Sequence, residues 1–245
     1  MLVPLAKSKA FDGLKSEIID RNYCTFCGSC ASFCSHITLK DVPTLATDCA
    51  LTKEDVLKCS ENGTCYDVCP MTAFDLSEME KVFLEGETDG DLGIIKELTA
   101  AKTPTDGQDG GIVTSLLVAG IENGIFDSAI VAKREDGFNA RPIIADKVSE
   151  VIEARGSKYV AIPMVSALGK AVKERGKRKI AIVGTPCEVL GVRKIQKILL
   201  ANAPQIDVVV IGLFCMENFA YDSLKGKINE LLGVDLGSAK KANIS

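Results

Sequence analysis

The sequence predicts an α/β protein in which a layered sheet domain with crossover helices follows a small cysteine-rich module. Three observations support this prediction. Eight of the ten cysteines lie between residues 24 and 69. The segments KRKIAIVG and IDVVVIGLFC read as continuous apolar strands, which is typical of parallel strands that are buried on both faces. Helical patterns lie between and after these strands, and such alternation indicates crossover helices.

The composition limits the classes of function. The 245 residues are 47% hydrophobic, which is enough for one core and a small accessory domain. The longest strongly apolar stretch, VVVIGLFCM, is too short for a membrane span of about 20 residues. A net charge of −4 without a basic run argues against nucleic acid as the main ligand. We therefore expect a cytoplasmic protein without direct membrane insertion, which partners can hold at the periphery of a membrane complex.

The cysteine-rich module, residues 1–91, carries a spacing typical of iron–sulfur proteins. Cys24, Cys27 and Cys30 follow each other at two-residue gaps, and Cys34 follows in turn. This CxxCxxCxxxC run resembles bacterial ferredoxins, in which three cysteines hold one [4Fe–4S] cluster and the fourth binds another. Nothing in the sequence directs export, so a disulfide framework is the poorer explanation. A tetrahedral zinc site is the alternative, but three cysteines at two-residue gaps are poor zinc geometry.

A second, incomplete copy of the motif follows. Cys59, Cys65 and Cys69 occupy its first, third and fourth positions, whereas Asn62 stands at the second. Cross-ligation predicts two clusters, with Cys24, Cys27, Cys30 and Cys69 on the first, and Cys34, Cys59, Cys65 and a substitute on the second. Cys49 is the spare thiol nearby. It either completes the second cluster or is a regular ligand that leaves Cys59 peripheral, and the spacing leaves both readings open.

The sheet domain, residues 92–245, shows alternating elements. In chain order the patterns predict a helix at 111–124, strands at 127–133 and 141–145, helices at 147–156 and 165–176, a strand at 177–184, a helix at 186–199, a strand at 206–215 and a helix at 221–232. In such sheets ligands bind beyond the carboxyl ends of the strands. Motifs at those ends are therefore the candidate site residues.

The motif VGTPCEVLGVRKIQ lies at one of these strand ends. Thr185 can cap the following helix, Pro186 suits its first position, and Glu188 completes a capping box. Cys187 therefore lies in the first helical turn, where free N–H groups favour a thiolate that acts as a nucleophile or a metal ligand. Cys215 ends the next strand, so the two sulfurs can converge on one site. A small buried hydrophobe is the alternative role for each.

Two further segments carry candidate cofactor-binding residues. In GQDGGIVTS, Gly110 and Gly111 let a ligand approach backbone N–H groups that suit a phosphate. In ARGSKYVA, Arg155, Lys158 and Tyr159 can hold an anionic, planar cofactor. Taken alone, an ordinary capped turn and a solvated helix end explain these two segments as well.

Taken together, four motifs closely resemble one family. In this order and spacing, QDGGIVTSLL, ARGSKY, VGTPCEVLGVRKIQ and IGLFCMENFAY resemble the β subunit of coenzyme F420-reducing hydrogenase and its relatives, the F420-dependent hydrogenase/dehydrogenase β-subunit family. The resemblance covers roughly residues 92–245. The module ahead of them resembles that of the longer members, including F420H2 dehydrogenase input subunits and the N-terminal half of F420-dependent sulfite reductase. The family normally continues with a further cysteine pair and a glycine-rich segment, so we expect a C-terminally truncated chain.

The resemblance implies an F420-dependent oxidoreductase subunit of the archaeal methanogenesis type. FAD on the α/β domain would exchange hydride with coenzyme F420, the substrate, and pass single electrons to [4Fe–4S] clusters. Two of these clusters belong to the N-terminal module and one lies near the flavin. The implied partners are other subunits of a redox complex of the hydrogenase, formate dehydrogenase, sulfite reductase or membrane F420H2 dehydrogenase type. The alternative is a non-catalytic, ferredoxin-like electron-transfer subunit that binds no flavin.

The same resemblance assigns site residues by motif. The implied flavin site comprises Gly110, Gly111, Thr114, Lys158 and Tyr159. Cys187 and Cys215 are implied as two ligands of the cluster beside the flavin. Hydride transfer is then mediated by the flavin, and the resemblance implies no catalytic side chain.

Overall fold

The computed structural model describes residues 9–40, 42–45, 63–90, 93–105, 111–135 and 137–238. Three of the predicted site residues, Cys49, Cys59 and Gly110, lie outside these ranges, as does Asn62. Within the described ranges, no helix is both long enough and apolar enough to cross a bilayer.

The cysteine-rich segment forms short elements. Its described helices are α1 (Ala10–Leu14, continued by a π-helix over Lys15–Ile19), α2 (Ser29–Ser32), α3 (Thr64–Asp67) and α4 (Leu76–Phe83). Two antiparallel hairpins pair β1 (Ile37–Leu39) with β2 (Pro43–Leu45), and β3 (Glu87–Asp89) with β4 (Gly93–Ile95). Phe26 and Gly28 adopt left-handed conformations, with φ of 58° and 84°. These residues turn the chain after Cys24, and helix α2 begins directly after Gly28.

The sheet domain follows the predicted order of elements at nearly the predicted bounds. The elements are α5 (Ile112–Glu122), β5 (Ser128–Arg134), β6 (Ala140–Ala145), α6 (Val148–Glu153), α7 (Ser166–Lys173), β7 (Lys179–Gly184), α8 (Pro186–Ile198), β8 (Asp207–Gly212) and α9 (Tyr221–Leu232). A 3-10 turn over Leu236–Ser238 follows α9. The alternation of strands and helices that the sequence predicts is confirmed.

Four strands form one mostly parallel sheet in the order β6–β5–β7–β8. Strands β5, β7 and β8 are parallel, with Ala129 opposite Ala181 and Ile182 opposite Val210. Strand β6 is antiparallel to β5 and forms an edge of the sheet. The two continuous apolar segments, now β7 and β8, are therefore parallel neighbours as predicted.

Alternate residues of the strands face two different helix layers, because successive side chains of a strand point to opposite faces. Ile130 and Ile180 pack with helices α7 and α8 in one hydrophobic cluster. Ala129 and Ala181 pack with α5 and α6 in another. All four side chains are fully buried. The domain therefore has three layers, with helices on both faces of the sheet.

The cysteine-rich segment packs on the face that carries α7 and α8. Cys27 and Val68 belong to the same hydrophobic cluster as Ile180. The ammonium of Lys173 in α7 donates to the backbone carbonyl of Phe33 at 2.8 Å. The two predicted modules thus share part of one core, and the boundary at residue 91 stays a prediction.

Candidate functional site

A cavity of about 360 Å³ lies beyond the carboxyl ends of β5 and β7. Its wall is built by the start of α5, the ends of both strands, the segment after α6, the start of α8 and the segment after β8. Parallel sheets collect ligands at this edge. Three predicted flavin-site residues, Gly111, Thr114 and Lys158, line this one cavity. The volume falls within the range of about 300–1,000 Å³ that is common for small-molecule sites.

The start of helix α5 requires a glycine. Gly111 has a φ of 70°, and a Cβ at this position would lie 2.4 Å from the carbonyl oxygen of Thr105. The hydroxyl of Ser115 donates to Oγ1 of Thr105 at 2.7 Å and holds the preceding loop against the helix. The first-turn N–H groups of a helix have no intrahelical acceptor. Gly111 and Ile112 line the cavity, so the N-terminal end of α5 forms part of its wall.

Lys158 lines the cavity, but its ammonium is engaged at the end of α6. It donates to the carbonyl oxygens of Ala154, of Gly156 at 2.7 Å and of Arg155 at 3.2 Å. Burial, with a smaller contribution from Arg134, lowers the pKa of Lys158 to about 8. Lys158 therefore fixes the loop that forms this wall.

Tyr159 contributes to the rim of the cavity through its backbone. Its carbonyl accepts the N–H of Phe219 at 3.2 Å, and the carbonyl of Phe219 accepts the N–H of Ala161 at 2.7 Å. The segment before Phe219 supplies Leu213 and Phe214 to the cavity wall. This pairing thus holds that segment over the cavity, whereas the side chain of Tyr159 is not part of the lining.

Glu188, in the first turn of α8, is a buried acid at the cavity wall. Its Oε2 accepts the N–H of Thr185 at 2.7 Å and the hydroxyl of Thr185 at 3.0 Å, which confirms the predicted capping contact. Glu188 is only 5% exposed. Burial raises its pKa to about 7, although hydrogen bonds from Thr185 and Met164 oppose the change. Gly184 leaves room for it, since a Cβ there would lie 2.9 Å from Cβ of Glu188.

A second, smaller cavity lies among the N-terminal cysteines. All four cysteines predicted for the first cluster line it: Cys24, Cys27, Cys30 and Cys69. Helix α2, which follows the first cysteines, packs against α3, which precedes the last of them. Three of the four are buried and Cys24 is half-buried. The structure therefore gathers the CxxCxxC run and the final cysteine of the second copy around one space, here called the cysteine cavity.

The chemistry of the cysteine cavity suits a bound metal group. Burial raises the pKa of Cys27 to about 12, and burial likewise raises the pKa of Cys30 and Cys69. Neutral thiols in this setting are poor nucleophiles, whereas a coordinated metal deprotonates its thiol ligands outright. Within the part of the chain that the structure describes, no three His, Cys, Asp or Glu side chains converge on a point that could hold a single metal ion.

One polar atom at the cysteine cavity has an unsatisfied hydrogen-bonding capacity. Oγ1 of Thr25 is buried without a hydrogen-bond partner among the described residues, and Thr25 lines the cavity. The left-handed residues Phe26 and Gly28 follow it, and such loops form backbone concavities that bind anionic groups, including iron–sulfur clusters. A sulfur-rich anionic cluster would offer Thr25 the acceptor that it lacks, so the residues of this cavity fit such a group.

Cys187 lies near both cavities, and it packs against the hydrophobic cluster that contains Cys27. Its neighbours Thr185 and Glu188 line the larger one, and its Sγ lies 3.4 Å from Oγ1 of Thr185. Burial raises the pKa values of Cys24 and Cys27, and the charge of Cys187 adds to both changes. Cys187 is therefore within electrostatic range of the cysteine cavity.

Cys215 is exposed but remains near Cys187. Burial raises its pKa, with further contributions from Cys187 and Glu188. Its Sγ donates weakly to the carbonyl oxygen of Glu217 at 3.7 Å. Both isolated cysteines follow the carboxyl ends of neighbouring parallel strands, where Gly184 lies opposite Gly212. Their common role as ligands stays a prediction.

The remaining described cysteines lie beside the cysteine cavity. Cys65 is buried in one hydrophobic cluster with Cys30 and Cys69, and Cys34 packs against this cluster. Both are predicted ligands of the second cluster. The roles of Cys49 and Cys59 in completing this cluster stay a prediction, since both lie outside the described residues.

Sequence patterns did not identify two polar residues, Thr25, which lines the cysteine cavity, and Lys194, which contacts Cys69. The ammonium of Lys194 in α8 donates to the carbonyl oxygen of Cys69 at 2.6 Å. A signal for Lys194 was present, because it falls between Gly191 and Ile195 on the apolar side of the helix, where a lysine is unusual. Thr25 carries no such signal, because burial of its hydroxyl depends on the packing of distant segments.

Comparison with known proteins agrees with the position of these motifs. The model of the N-terminal part of the coenzyme F420 hydrogenase/dehydrogenase β subunit matches residues 98–169. The model of its C-terminal part matches residues 177–245. Together the two matches cover more than half of the chain, and they span both the α5 start and the Cys187 motif.

Individual relatives agree with these matches. The coenzyme F420 hydrogenase β subunit of Methanococcus voltae is 39% identical over 138 residues, which cover 56% of this chain and 49% of that protein. The coenzyme F420-dependent sulfite reductase of Methanocaldococcus jannaschii is 30% identical over 94% of this chain and 36% of its own length. The chain therefore spans half or less of the length of these relatives.

A solved structure shows the same fold. A chain of the F420-reducing [NiFe] hydrogenase complex from Methanosarcina barkeri is similar with a TM-score of 0.52 and 37% identity, over 57% of this chain and 49% of that one. Fold, motif positions and sequence matches thus agree, and the chain belongs to the coenzyme F420 hydrogenase/dehydrogenase β-subunit family.

Proposed function

We propose that this chain is a flavin and iron–sulfur subunit of an F420-dependent oxidoreductase. In this proposal FAD binds in the cavity at the sheet edge and exchanges hydride with coenzyme F420. Single electrons pass through [4Fe–4S] clusters to or from a partner enzyme. When bound, FAD supplies the conversion between hydride transfer and one-electron transfer, which neither F420 nor a cluster performs alone.

The position of Cys187 carries the proposal. Thr185 and Glu188, on either side of it, line the cavity proposed for FAD. Cys187 itself packs against the hydrophobic cluster that contains Cys27, one of the cysteines that line the cysteine cavity. The first turn of α8 therefore lines one space and lies near the other, and electron transfer between a flavin and a cluster requires such proximity.

The residues of the larger cavity would act by binding and orienting. The first-turn N–H groups of α5, opened by Gly111, would hold a phosphate of FAD. Lys158 fixes the loop on the opposite side through three carbonyl contacts. Glu188 forms a buried wall that can hold a proton at its carboxyl group, because its pKa lies near 7. We assign Thr114 to the same lining, and Gly110 and Tyr159 to its surroundings.

We assign the cysteines to three clusters. Four that line the cysteine cavity form the proposed ligand set of the first cluster: Cys24, Cys27, Cys30 and Cys69. Cys34 and Cys65 are proposed for a second cluster, for which Cys49 and Cys59 are the candidates for the remaining ligands. Cys187 and Cys215 are proposed as two ligands of the cluster nearest the flavin. Each cysteine of a [4Fe–4S] cluster binds its own iron, so cysteines arranged around a cavity wall suit it.

The proposed partner is another redox subunit or domain. Relatives are named as a subunit of a hydrogenase and as a sulfite reductase, and formate dehydrogenase and membrane F420H2 dehydrogenase are further candidates. The N-terminal clusters would then relay electrons between the flavin and this partner.

The test is anaerobic reconstitution of the full chain with iron, sulfide and FAD, followed by oxidation of reduced F420 with a viologen dye as acceptor. We expect bound FAD in the purified protein and viologen reduction that depends on F420. A protein that carries clusters but retains no FAD would contradict the proposal and support a ferredoxin-like electron-transfer subunit.

Two variants separate the steps. Gly111→Ala brings a Cβ against the carbonyl oxygen of Thr105, so we expect it to lose FAD while keeping its iron. Cys187→Ser should keep FAD and its bleaching by reduced F420, but lose viologen reduction. Gly226→Ala in α9, where a Cβ meets open space, is the matched control and should behave as the parent chain does.

A further inference from the structure

Lys194 is a buried lysine in the middle of helix α8. It is 4% exposed, and its ammonium lies 5.1 Å from the centre of the Phe74 ring. Lysine is seldom buried to this degree unless its charge is compensated. Its surroundings therefore have to account for the charge.

Three oxygen atoms surround the ammonium of Lys194. It donates to the carbonyl oxygen of Cys69 at 2.6 Å, to Oγ1 of Thr72 at 2.9 Å and to the carbonyl oxygen of Thr72 at 3.1 Å. The hydroxyl of Thr72 gives its own hydrogen to the carbonyl of Cys69 at 2.8 Å or to that of Tyr66 at 3.1 Å. All three partners of Lys194 are thus acceptors, which matches the three N–H donors of a charged ammonium.

The ammonium of Lys194 contacts the backbone of the residue that carries one of the proposed ligand sulfurs. Burial raises the pKa of Cys69, whereas hydrogen bonds from the N–H groups of Met71 and Thr72 and the charge of Lys194 lower it. Burial lowers the pKa of Lys194, and the charges of Cys69 and Asp67 raise it.

Helix α8 is held tightly against the cysteine segments at the same point. A Cβ at Gly191, one turn before Lys194, would lie 2.0 Å from Oγ of Ser29 and 3.8 Å from Cδ of Pro70. This close approach lets the lysine reach the 69–72 loop. The helix that presents Cys187 at its first turn thus contacts Cys69 about two turns further on, through Lys194.

We propose that Lys194 is a positioning and charge-compensating residue for the Cys69 ligand of the first N-terminal cluster. It ties the 69–72 loop to the helix of Cys187, and its positive charge stabilises the reduced form of that cluster. This inference rests on the proposed binding of iron–sulfur clusters. Reduction adds one negative charge to a cluster, and the net charge around it is one determinant of its reduction potential.

The test compares three substitutions in the reconstituted full chain. Lys194→Met removes the charge and all donors, Lys194→Gln keeps one amide donor without charge, and Lys194→Arg keeps the charge. The readouts are iron and sulfide content, FAD content, and an EPR-monitored redox titration. We expect Lys194→Met and Lys194→Gln to shift the reduction potential of one cluster to a more negative value. Lys194→Arg should keep a potential closer to that of the parent chain.

Lys197→Met on the same helix is the matched control. Lys197 pairs with Glu78 at 2.8 Å near the surface, so its loss removes the same charge from a more solvated place. We expect little change in any cluster potential, since water screens the charge there.

A second measurement tests the positioning role without a cluster. In the iron-free chain, Lys194→Met leaves the carbonyl oxygens of Cys69 and Thr72 without their donor, so its thermal unfolding midpoint should fall below that of Lys194→Gln. If Lys194→Met does not fold, the reduction potentials of Lys194→Gln and Lys194→Arg are compared instead.

The outcomes separate this inference from the proposed function. If the parent chain binds clusters and their reduction potentials are unchanged in both Lys194→Met and Lys194→Gln, the proposed role of Lys194 is wrong. Absence of any iron–sulfur signal from the reconstituted parent chain would overturn both proposals. If the Lys194 variants shift the reduction potential but the parent chain does not react with F420, the role of Lys194 is supported and only the proposed flavin chemistry is contradicted.

Discussion

The backbone N–H of Gly169 in helix α7 donates a hydrogen bond of 3.1 Å to Oγ of Ser32, at the end of helix α2. The two residues belong to the sheet domain and to the cysteine-rich segment, respectively. Their backbones approach so closely that a Cβ at Gly169 would lie 1.4 Å from the carbonyl oxygen of Ser32. The cysteine segment is therefore held on the sheet domain by direct backbone packing.

We predict that Gly169→Ala separates the two regions. The added methyl group has no space, and overpacking of this kind costs about 1–3 kcal/mol or more. The thermal unfolding midpoint should fall, and iron loading should fall with it because the cysteine cavity is disturbed. Gly226→Ala in α9 is the control, since its methyl group meets open space and alanine favours helix by about 1 kcal/mol. Equal midpoints and iron contents for both variants would contradict the prediction.

Thr25→Val should have opposite effects on the iron-free and the iron-loaded chain. The Thr25 hydroxyl is buried without a partner among the described residues, so replacing it with a methyl group should raise the free energy of unfolding of the iron-free chain by about 1 kcal/mol. In the loaded chain the same change removes a donor to cluster sulfur and should make the reduction potential more negative. Calorimetry and redox titration measure the two effects.

Thr25→Ser is the control for both measurements, because it keeps the hydroxyl. We expect its reduction potential to match that of the parent chain. If Thr25→Val and Thr25→Ser gave the same cluster reduction potential, the hydroxyl of Thr25 would have no role at the cluster.

Most of the fold could be predicted because its signals are local. Continuous apolar runs identified β7 and β8, and the two strands are parallel. Strand β7 is mostly buried, whereas β8 lies at the edge of the described sheet and is mostly half-buried. The direction of β6 could not be predicted, since the RPIIA segment fits either orientation. The short connection from Arg134 to Ala140 allows the antiparallel pairing with β5 that the structure shows.

The candidate site was predictable only where one short motif supplies several contacts. Gly111 and Thr114 come from one motif and lie on one wall, and Glu188 was identified as a helix cap from its spacing. Its burial at the cavity, and the contact of Lys194 with Cys69, depend on how α8 packs against two other segments. Tertiary packing of that kind leaves little trace in a local pattern.

Glu188 should make the stability of the iron-free chain depend on pH. Its pKa is about 7 in the folded state against an ordinary value of 4.5, so between these values the folded chain binds more protons than the unfolded one. The free energy of unfolding should therefore fall as pH rises from about 4.5 to about 7, by at most about 3 kcal/mol from this group. Urea unfolding across this pH range measures it.

Glu188→Gln is the matched variant, because glutamine resembles the protonated acid and does not titrate. We expect its stability to change less between pH 4.5 and 7 than that of the parent chain. Parallel pH profiles for the two proteins would show that Glu188 ionises in the folded state as readily as in water.

Alkylation rates should distinguish iron ligands from a catalytic thiol. In the iron-free chain, exposed Cys215 should react faster with iodoacetamide than the other cysteines that the structure describes. Cys27 should react about a thousandfold more slowly than an ordinary thiol, because the thiolate is the reactive form and burial raises the pKa of Cys27 from 9.0 to about 12. After anaerobic loading with iron and sulfide, Cys187 and Cys215 should both become protected, and mass spectrometry of the peptides reads this directly. Rapid modification of Cys187 in the fully loaded chain would instead identify it as a free nucleophile.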